Sequence, residues 1–278
     1  ICSDEYGHLQ ATGLDDRGRK QYRYHTAWAE QRSRLKFGQL RQFGEALPRI
    51  RRKIRADLKK GLPHEEAILA AMVMLVDRVH LRVGSRIYAR ENKTFGVTSL
   101  LKRHVRMEDG YSVSLRFTAK GGAVQDYELE SEALHDILEE IADLPGRELF
   151  SWRDEEAGMR RISSQRLNAY LGEIGGVGVT AKTFRTWAGS VTGFGEALDA
   201  LKRSEPVRVK AICEAAAAKL HNTPAICRTS YVHPDVLALT TEEGHVKHAL
   251  KAAETARRIS GLNRAEERFL QYLELRAG

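Results

Sequence analysis

The chain is short of cysteine: Cys2, Cys213 and Cys227 are the only three in 278 residues. An odd, widely spaced set excludes a disulfide-stapled scaffold and a zinc site built from paired cysteines. Cys213 falls on an apolar helical face and Cys227 one turn before Tyr231, positions that suit buried thiols in a reducing compartment. No apolar run approaches the ~20 residues that a membrane-spanning helix needs, so no membrane partner is expected. Nucleotide and metal signatures are missing too. There is no P-loop, no Rossmann glycine fingerprint, no HExxH and no acidic cluster of the two-metal nuclease type. The glycine-rich run from Gly175 to Gly178 follows a helical pattern, not a strand, and gives nucleotide binding no support. No cofactor and no metal are expected, which leaves any chemistry on a phosphate to cationic side chains.

What the chain does have is positive charge. A formal net charge of +8 and a pI near 9.4 lean toward a polyanionic partner. Taken alone, the same numbers describe a soluble basic protein. The cations are also clustered, as in Arg49-Ile-Arg-Arg-Lys-Ile-Arg55, with five in seven residues. A chain of this length can bury a substantial core in one large or two smaller domains.

Taken in order, Leu9–Thr12 and residues 19–24 flank the turn-rich stretch from Gly13 to Gly18 and read as a hairpin. In its second strand Tyr22 and Tyr24 share one face, while Arg19, Gln21 and Arg23 share the other. Basic side chains beside aromatics suit nucleic acid; a solvated edge strand guarded by charge fits equally well. Residues 26–60 are a long basic helical region in which Phe37, Leu40, Phe43 and Leu47 recur at helical spacing, with Pro48 following as punctuation. Pro63 opens a helix whose core stripe is Ile68, Leu69, Met72, Leu75, Val76 and Val79, and which runs into Arg82. Arginine is rarely buried without a partner, so Arg82 either pairs with a carboxylate or faces a cleft. Asp109-Gly110 makes a tight turn, after which Tyr111, Val113, Leu115 and Phe117 alternate with polar residues. A second turn, Ala119-Lys-Gly-Gly122, leads to a strand through Tyr127 and Leu129. The result is a three-stranded antiparallel meander with Lys120 on a hairpin tip, a place where lysines are common and usually without function.

The remainder reads as mainly helical. Ser131 and Ser163 cap two helices, the second closed by Gly175. Thr180 caps a third over Ala181–Trp187, where Lys182 and Arg185 share a face opposite the buried Phe184, Trp187 and Val191. Two cations on a packed base make either a phosphate clamp or an ordinary surface helix. Pro206 precedes a helix that reaches Leu220, and Asn263 with Glu266 forms a capping box for the last helix.

The stretch from Lys219 to Pro234 organises these pieces. Thr223 caps and Pro224 opens a helix of about two turns, with Tyr231 at its far end. Pro234 pushes the preceding residue out of helical geometry and so ends the helix near His233. Asn222 stands just outside the helix start, where backbone N–H groups favour an anion.

Read together, Arg82, Lys120, Lys182-x-x-Arg185, Asn222 and Tyr231 resemble the type IB DNA topoisomerases, in their bacterial and poxvirus-like branch. Residues 81–100 are similar to the family's first arginine block, Leu115–Gly121 to its lysine hairpin, Lys182–Trp187 to its second arginine block and Asn222 through Tyr231 to its nucleophile block. Asn222 stands where many relatives carry histidine. The resemblance implies an α+β fold. A mainly helical catalytic domain with a small three-stranded sheet is expected over residues 29–278. The last strands of a β-rich, DNA-capping N-terminal domain are expected over 1–28, and the abrupt start at Ile1 fits a missing portion.

The same resemblance implies an ATP-independent isomerase acting on double-stranded DNA through a 3′-phosphotyrosyl intermediate. It also implies a monomer in the cytoplasm, associated with the nucleoid. Tyr231 would be the nucleophile, Arg82 and Arg185 would hold the non-bridging oxygens, and Asn222 would add a hydrogen bond. Lys120 would protonate the departing 5′-hydroxyl. Lys182, Lys20, Gln21, Tyr22 and Tyr24 are expected DNA contacts. A free phenol has a pKa of about 10, so cations must lie close to such a nucleophile. Two other readings stay open. A tyrosine recombinase shares the residue order but usually has histidine at the place of Lys182 and a helical N-terminal domain. A basic DNA-binding protein without catalysis needs no Tyr231 beside Asn222. One tension is geometric: nine helical residues advance about 13 Å, too far for Asn222 and Tyr231 to share a phosphate along one straight helix.

Overall fold

The computed structural model describes residues 2, 4–16, 18, 20–154 and 158–277. Strands β1 (Leu9–Leu14) and β2 (Lys20–Tyr24) form the expected antiparallel hairpin, Leu14 facing Lys20 and Leu9 facing Tyr24. The strand period of two puts Tyr22 and Tyr24 on one face, with ring centroids 6.4 Å apart and the Lys20 ammonium 5.5 Å from the Tyr22 ring. The expectation for Arg19 lies outside the described residues. His25 caps helix α1 (Thr26–Gly38) by accepting a hydrogen bond from the Ala27 N–H.

Helix α2 (Leu40–Leu58) does not respect Pro48, which lies inside it. The chain breaks instead between Gly38 and Leu40. A proline inside a helix costs about 3 kcal/mol. Here Leu40, Phe43, Leu47, Ile50, Ile54 and Leu58 are all buried along the face it would interrupt. At about 1.5–3 kcal/mol for each such side chain, burial outweighs one lost hydrogen bond. Pro48 itself packs on Gly261, where an added Cβ would sit 3.2 Å from the Pro48 Cα. Helix α3 (Glu65–Val79) starts two residues past Pro63, with His64 as its N-cap. Residues Ala67–Val73 are buried without interruption, so α3 is the central helix of the helical body.

A short helix α4 (Arg86–Asn92) precedes the meander β3 (Val105–Glu108), β4 (Ser112–Thr118) and β5 (Val124–Glu130), which pair in that order. Val113, Leu115 and Phe117 face inward as expected. Tyr111 does not join them. It has φ +62°, belongs to the Asp109–Tyr111 turn and is half exposed. Ser131 caps α5 (Glu132–Ala142). A further hairpin, β6 (Ser151–Asp154) with β7 (Gly158–Arg161), was not legible in a charged sequence with little alternation.

Ser163 caps α6 (Ser164–Gly175), and Gly176, at φ +101°, closes it in place of Gly175. Helix α7 (Ala181–Lys202) is 22 residues long and runs far past Trp187. Two of its glycines, Gly189 and Gly193, are packing sites, as the Gly193 Cβ position, 2.9 Å from Ile212, illustrates. Then follow α8 (Val209–Leu220), α9 (Pro224–Ser230), α10 (Pro234–Ala238), α11 (Glu243–Thr255) and α12 (Arg264–Ala277). The protein is α+β and mainly helical, as expected. No described helix is long and apolar enough to cross a membrane.

A buried ionic network ties the helical body together. Arg51 of α2 donates to Asp77 of α3 at 2.8 Å and to Glu266 of α12 at 2.8 Å, while the Trp187 indole of α7 donates to Glu266 at 3.2 Å. Glu266 also closes the expected capping box with Asn263. The cation beside them holds the Glu266 carboxyl below the usual carboxylate range against the opposing effect of burial. Removing one partner of such a cluster leaves uncompensated buried charge. Arg51→Met is therefore expected to destabilise the fold by about 3–5 kcal/mol, measured by urea unfolding; a loss below about 1 kcal/mol would show that the cluster is ornamental.

Candidate active site

Two of the predicted cations converge through a shared backbone device. Helices α3 and α8 both end in a left-handed histidine, His80 at φ 56° and His221 at φ 48°. Histidine is among the non-glycine residues that tolerate this region. Each left-handed turn leaves a carbonyl for an arginine from elsewhere in the chain. Arg185 of α7 donates through Nη1 to the His80 carbonyl and through Nη2 to the Leu220 carbonyl at 2.9 Å. Arg82, two residues past His80, donates through Nη2 to the His221 carbonyl at 3.1 Å and to Asn222 Oδ1 at 2.6 Å.

Among the described residues neither guanidinium has an ion pair. Arg185 is only 4% exposed, an uncommon state for an unpaired cation. Both arginines line one cavity of about 10 Å³, walled by Phe95, Phe117 and Tyr127. Burial, then the neighbouring Arg185, push the Arg82 guanidinium below its ordinary value; an arginine nonetheless stays charged. Arg185 Nε and Asn222 Nδ2 are buried donors without a protein partner. Two cations without a described carboxylate partner and two unpaired N–H donors make a donor set suited to an anion.

Tyr231 closes this site. It follows α9 directly, at φ −131° and ψ −20°. The Arg185 guanidinium lies 5.2 Å from its ring centroid, within cation–π reach. The Tyr231 carbonyl accepts a hydrogen bond from Ser190 Oγ at 3.0 Å, and Ser190 Oγ in turn accepts from the His233 N–H at 3.0 Å. Gly189 makes this approach possible, since a Cβ there would stand 3.0 Å from the Tyr231 carbonyl and 3.1 Å from its Cβ. The Asn222–Tyr231 tension is resolved by the short helix. Asn222 lies in the turn before α9 and meets Arg82, Tyr231 lies past its end and meets Arg185, and the two arginines close the gap.

The Arg82 backbone is fixed by a close crossing. Its carbonyl accepts the Val97 N–H at 2.9 Å. A Cβ on Gly96 would stand 2.6 Å from that carbonyl, so only glycine fits. Lys120 is exposed on the β4–β5 tip, where Gly121 and Gly122 hold φ +93° and +85°. It lines a groove of about 720 Å³ with Arg82, Lys20, Gln21, Tyr88 and Asn92. The meander and the N-terminal hairpin thus bring Lys120, Lys20 and Gln21 to the same space as Arg82.

Lys182 goes elsewhere. The expectation that it shares a face with Arg185 does not hold, because Arg185 is turned into the core and Lys182 is exposed. Lys182 lines a second groove of about 750 Å³ with Tyr24, Trp28, Arg32, Lys36 and Ser230. Tyr22 is half exposed and lines neither groove. Sequence reasoning missed His80, Ser190 and Lys36, whose roles come from carbonyl contacts made far along the chain. It also missed Tyr127, whose hydroxyl donates to Gln125 at 2.7 Å. Only the isolated histidine before Leu81-Arg82 carried a signal that could have been read.

Comparison with known proteins points one way. The family model for the catalytic core of eukaryotic DNA topoisomerase I matches residues 25–258. The chain is 28% identical over 243 residues to DNA topoisomerase 1B of Acanthamoeba polyphaga mimivirus, an alignment covering 84% of this chain and 72% of that protein. It is 27% identical over 177 residues to DNA topoisomerase 1 of Mycosarcoma maydis, covering 57% of this chain but 17% of that longer protein.

The left-handed His80 yields a pH prediction. Burial first, then Lys219 and Arg185, push its imidazole down to about 4. The unfolded chain binds this proton near pH 6.5 and the folded chain does not. Stability is therefore full above pH 6.5 and falls as the pH drops toward 4, with one proton contributing up to about 1.4 kcal/mol per pH unit. In His80→Asn, which keeps a residue tolerant of the left-handed region, unfolding free energy should fall less steeply between pH 6.5 and 4. An unchanged slope would show that His80 contributes nothing to the pH dependence of stability.

Proposed function

The chain belongs to the type IB DNA topoisomerase family, and from that premise we propose that it relaxes supercoiled duplex DNA by reversible cleavage of one strand at Tyr231. The phenolic oxygen attacks the scissile phosphorus, and its proton leaves to solvent. The P–O5′ bond breaks, and Lys120 gives a proton to the departing 5′-oxygen. The products are a 3′-phosphotyrosyl link and a free 5′-hydroxyl end. The link conserves the phosphodiester, so attack by the 5′-hydroxyl reseals the strand with no nucleotide or metal required. Between the two steps the cut strand swivels.

The observation that carries this reading is the pair of buried, unpartnered donors, Arg185 Nε and Asn222 Nδ2, beside the Tyr231 ring and Arg82. A phosphodiester repels nucleophiles until its non-bridging charge is neutralised, and preorganised donors do this best where water is excluded. Arg82 and Arg185 take the non-bridging oxygens, since guanidinium matches their geometry and stays charged. Asn222 adds a neutral donor and moves no proton. Lys120, exposed on a glycine tip, reaches the leaving oxygen across the first groove. Lys20 and Gln21 contact the backbone in that groove, and Lys182 and Tyr24 do so in the second, with Tyr22 stacking beside Tyr24. The hairpin of residues 9–24 is the part of a capping domain that touches DNA. All these groups lie on one chain, so a monomer suffices, working where the DNA is.

Tyr231→Phe is expected to bind duplex with wild-type affinity and to yield no protein–DNA adduct on a denaturing gel; relaxation by that variant would identify another nucleophile. Lys120→Ala should slow single-turnover cleavage by about 10²–10⁴-fold, the ordinary range for loss of a general acid. Relaxation should proceed in EDTA without ATP, and strict dependence on either would reject the mechanism. Affinity should fall steeply with salt, because phosphate contacts dominate.

A further inference from the structure

The peptide groups on both sides of Tyr231 are held by side chains. The following carbonyl, its own, accepts from Ser190 Oγ of α7. The preceding carbonyl, that of Ser230, accepts from the Lys36 ammonium at 3.0 Å, across 194 positions of sequence. Lysines often cap the last carbonyls of a helix, but such caps come from the helix's own final turn. This one comes from α1, the helix that starts two residues after β2.

The surroundings of Lys36 are not those of a solvated surface lysine. It is half buried, and its ammonium lies 3.9 Å from the Phe37 ring centroid. Among the described residues it has no carboxylate partner. Burial, and then Lys182, push it down to about 8. Desolvation and a like charge both act against an ammonium here. The compensating interactions are one ring and one carbonyl, and that carbonyl belongs to the peptide unit that carries Tyr231. Ser190 sits on a buried helix of the core, so α9 ends between a fixed core contact and an arm from α1.

We infer that Lys36 is a positioning residue for strand cleavage: its ammonium holds the peptide group before Tyr231 and, together with Ser190, aims the phenol at the scissile phosphate. This rests on Tyr231 as the nucleophile. The residue touches no reacting atom, so its loss should act on the chemical step and not on affinity. Misplacement by about 1 Å can cost roughly 10²-fold in rate.

The test uses the full chain with a nicked duplex that traps the covalent adduct, under single-turnover conditions and saturating DNA. Duplex affinity is measured in parallel. Lys36→Met keeps the stem over Phe37 and removes the ammonium. It should cleave about 10–100-fold more slowly with affinity within about twofold of wild type, and Lys36→Arg should recover most of the rate. Cleavage by Lys36→Met within twofold of wild type would overturn the inference. So would a fall in affinity large enough to account for the slower cleavage, because Lys36 would then be a plain phosphate contact in the second groove. If the methionine variant folds poorly, Lys36→Gln is judged by the same two numbers. Tyr231→Phe separates the two claims. An adduct from that variant sinks the nucleophile and Lys36 with it, whereas no adduct from it and wild-type cleavage by Lys36→Met sink Lys36 alone.

Discussion

A guanidinium buried against backbone carbonyls, with no described carboxylate to neutralise it, is the constraint around which the site is built. Arg185 is nearly inaccessible, and its two terminal nitrogens each give one hydrogen bond, to the His80 and Leu220 carbonyls. Burying a charge is costly unless it is paired and hydrogen-bonded. Two carbonyl dipoles offset part of that cost, and a phosphate would offset the rest. Such a group suits an anion recruited from outside, and the Tyr231 ring lies 5.2 Å from the same guanidinium.

The carbonyls are available because α3 and α8 both stop in the left-handed region. A non-glycine residue there costs roughly 1–2 kcal/mol, a modest sum beside the buried faces of α2, α3 and α7. The same turns release Leu81-Arg82 and Asn222 from helical geometry at the positions where their side chains can meet. Two glycines complete the arrangement. Gly96 lets one loop lie on the Arg82 carbonyl, and Gly189 lets α7 lie against Tyr231. The geometry of the candidate site is therefore largely backbone geometry, on a helical body tied together by the Arg51–Asp77–Glu266 cluster.

Much of this was legible before any coordinates, and the failures share a cause. Caps and alternation are local, so the Ser131, Ser163 and Asn263–Glu266 caps and the inward Val113, Leu115 and Phe117 came out as expected. Pro48 misled because tertiary packing overrode local punctuation. The Lys182–Arg185 pair misled for a related reason: a three-residue spacing says that two side chains are neighbours on a helix, not that both face solvent. Lys36 and Ser190 were invisible since each acts through a carbonyl whose position depends on chain closure. Arg82, Arg185, Asn222 and Tyr231 could be recognised only as a set, because none of them is unusual in the sequence alone.

Everything proposed for this site requires Arg82, Arg185 and Asn222 to converge on one phosphate. A crystal structure of the Tyr231→Phe variant with a duplex tests it most directly. Arg185 Nε, Asn222 Nδ2 and the Arg82 guanidinium are expected within about 2.7–3.2 Å of the non-bridging oxygens of a single phosphate, with the ring at position 231 opposite its 5′-oxygen. Finding those donors on separate phosphates, or Arg185 Nε still without an anion, would contradict it.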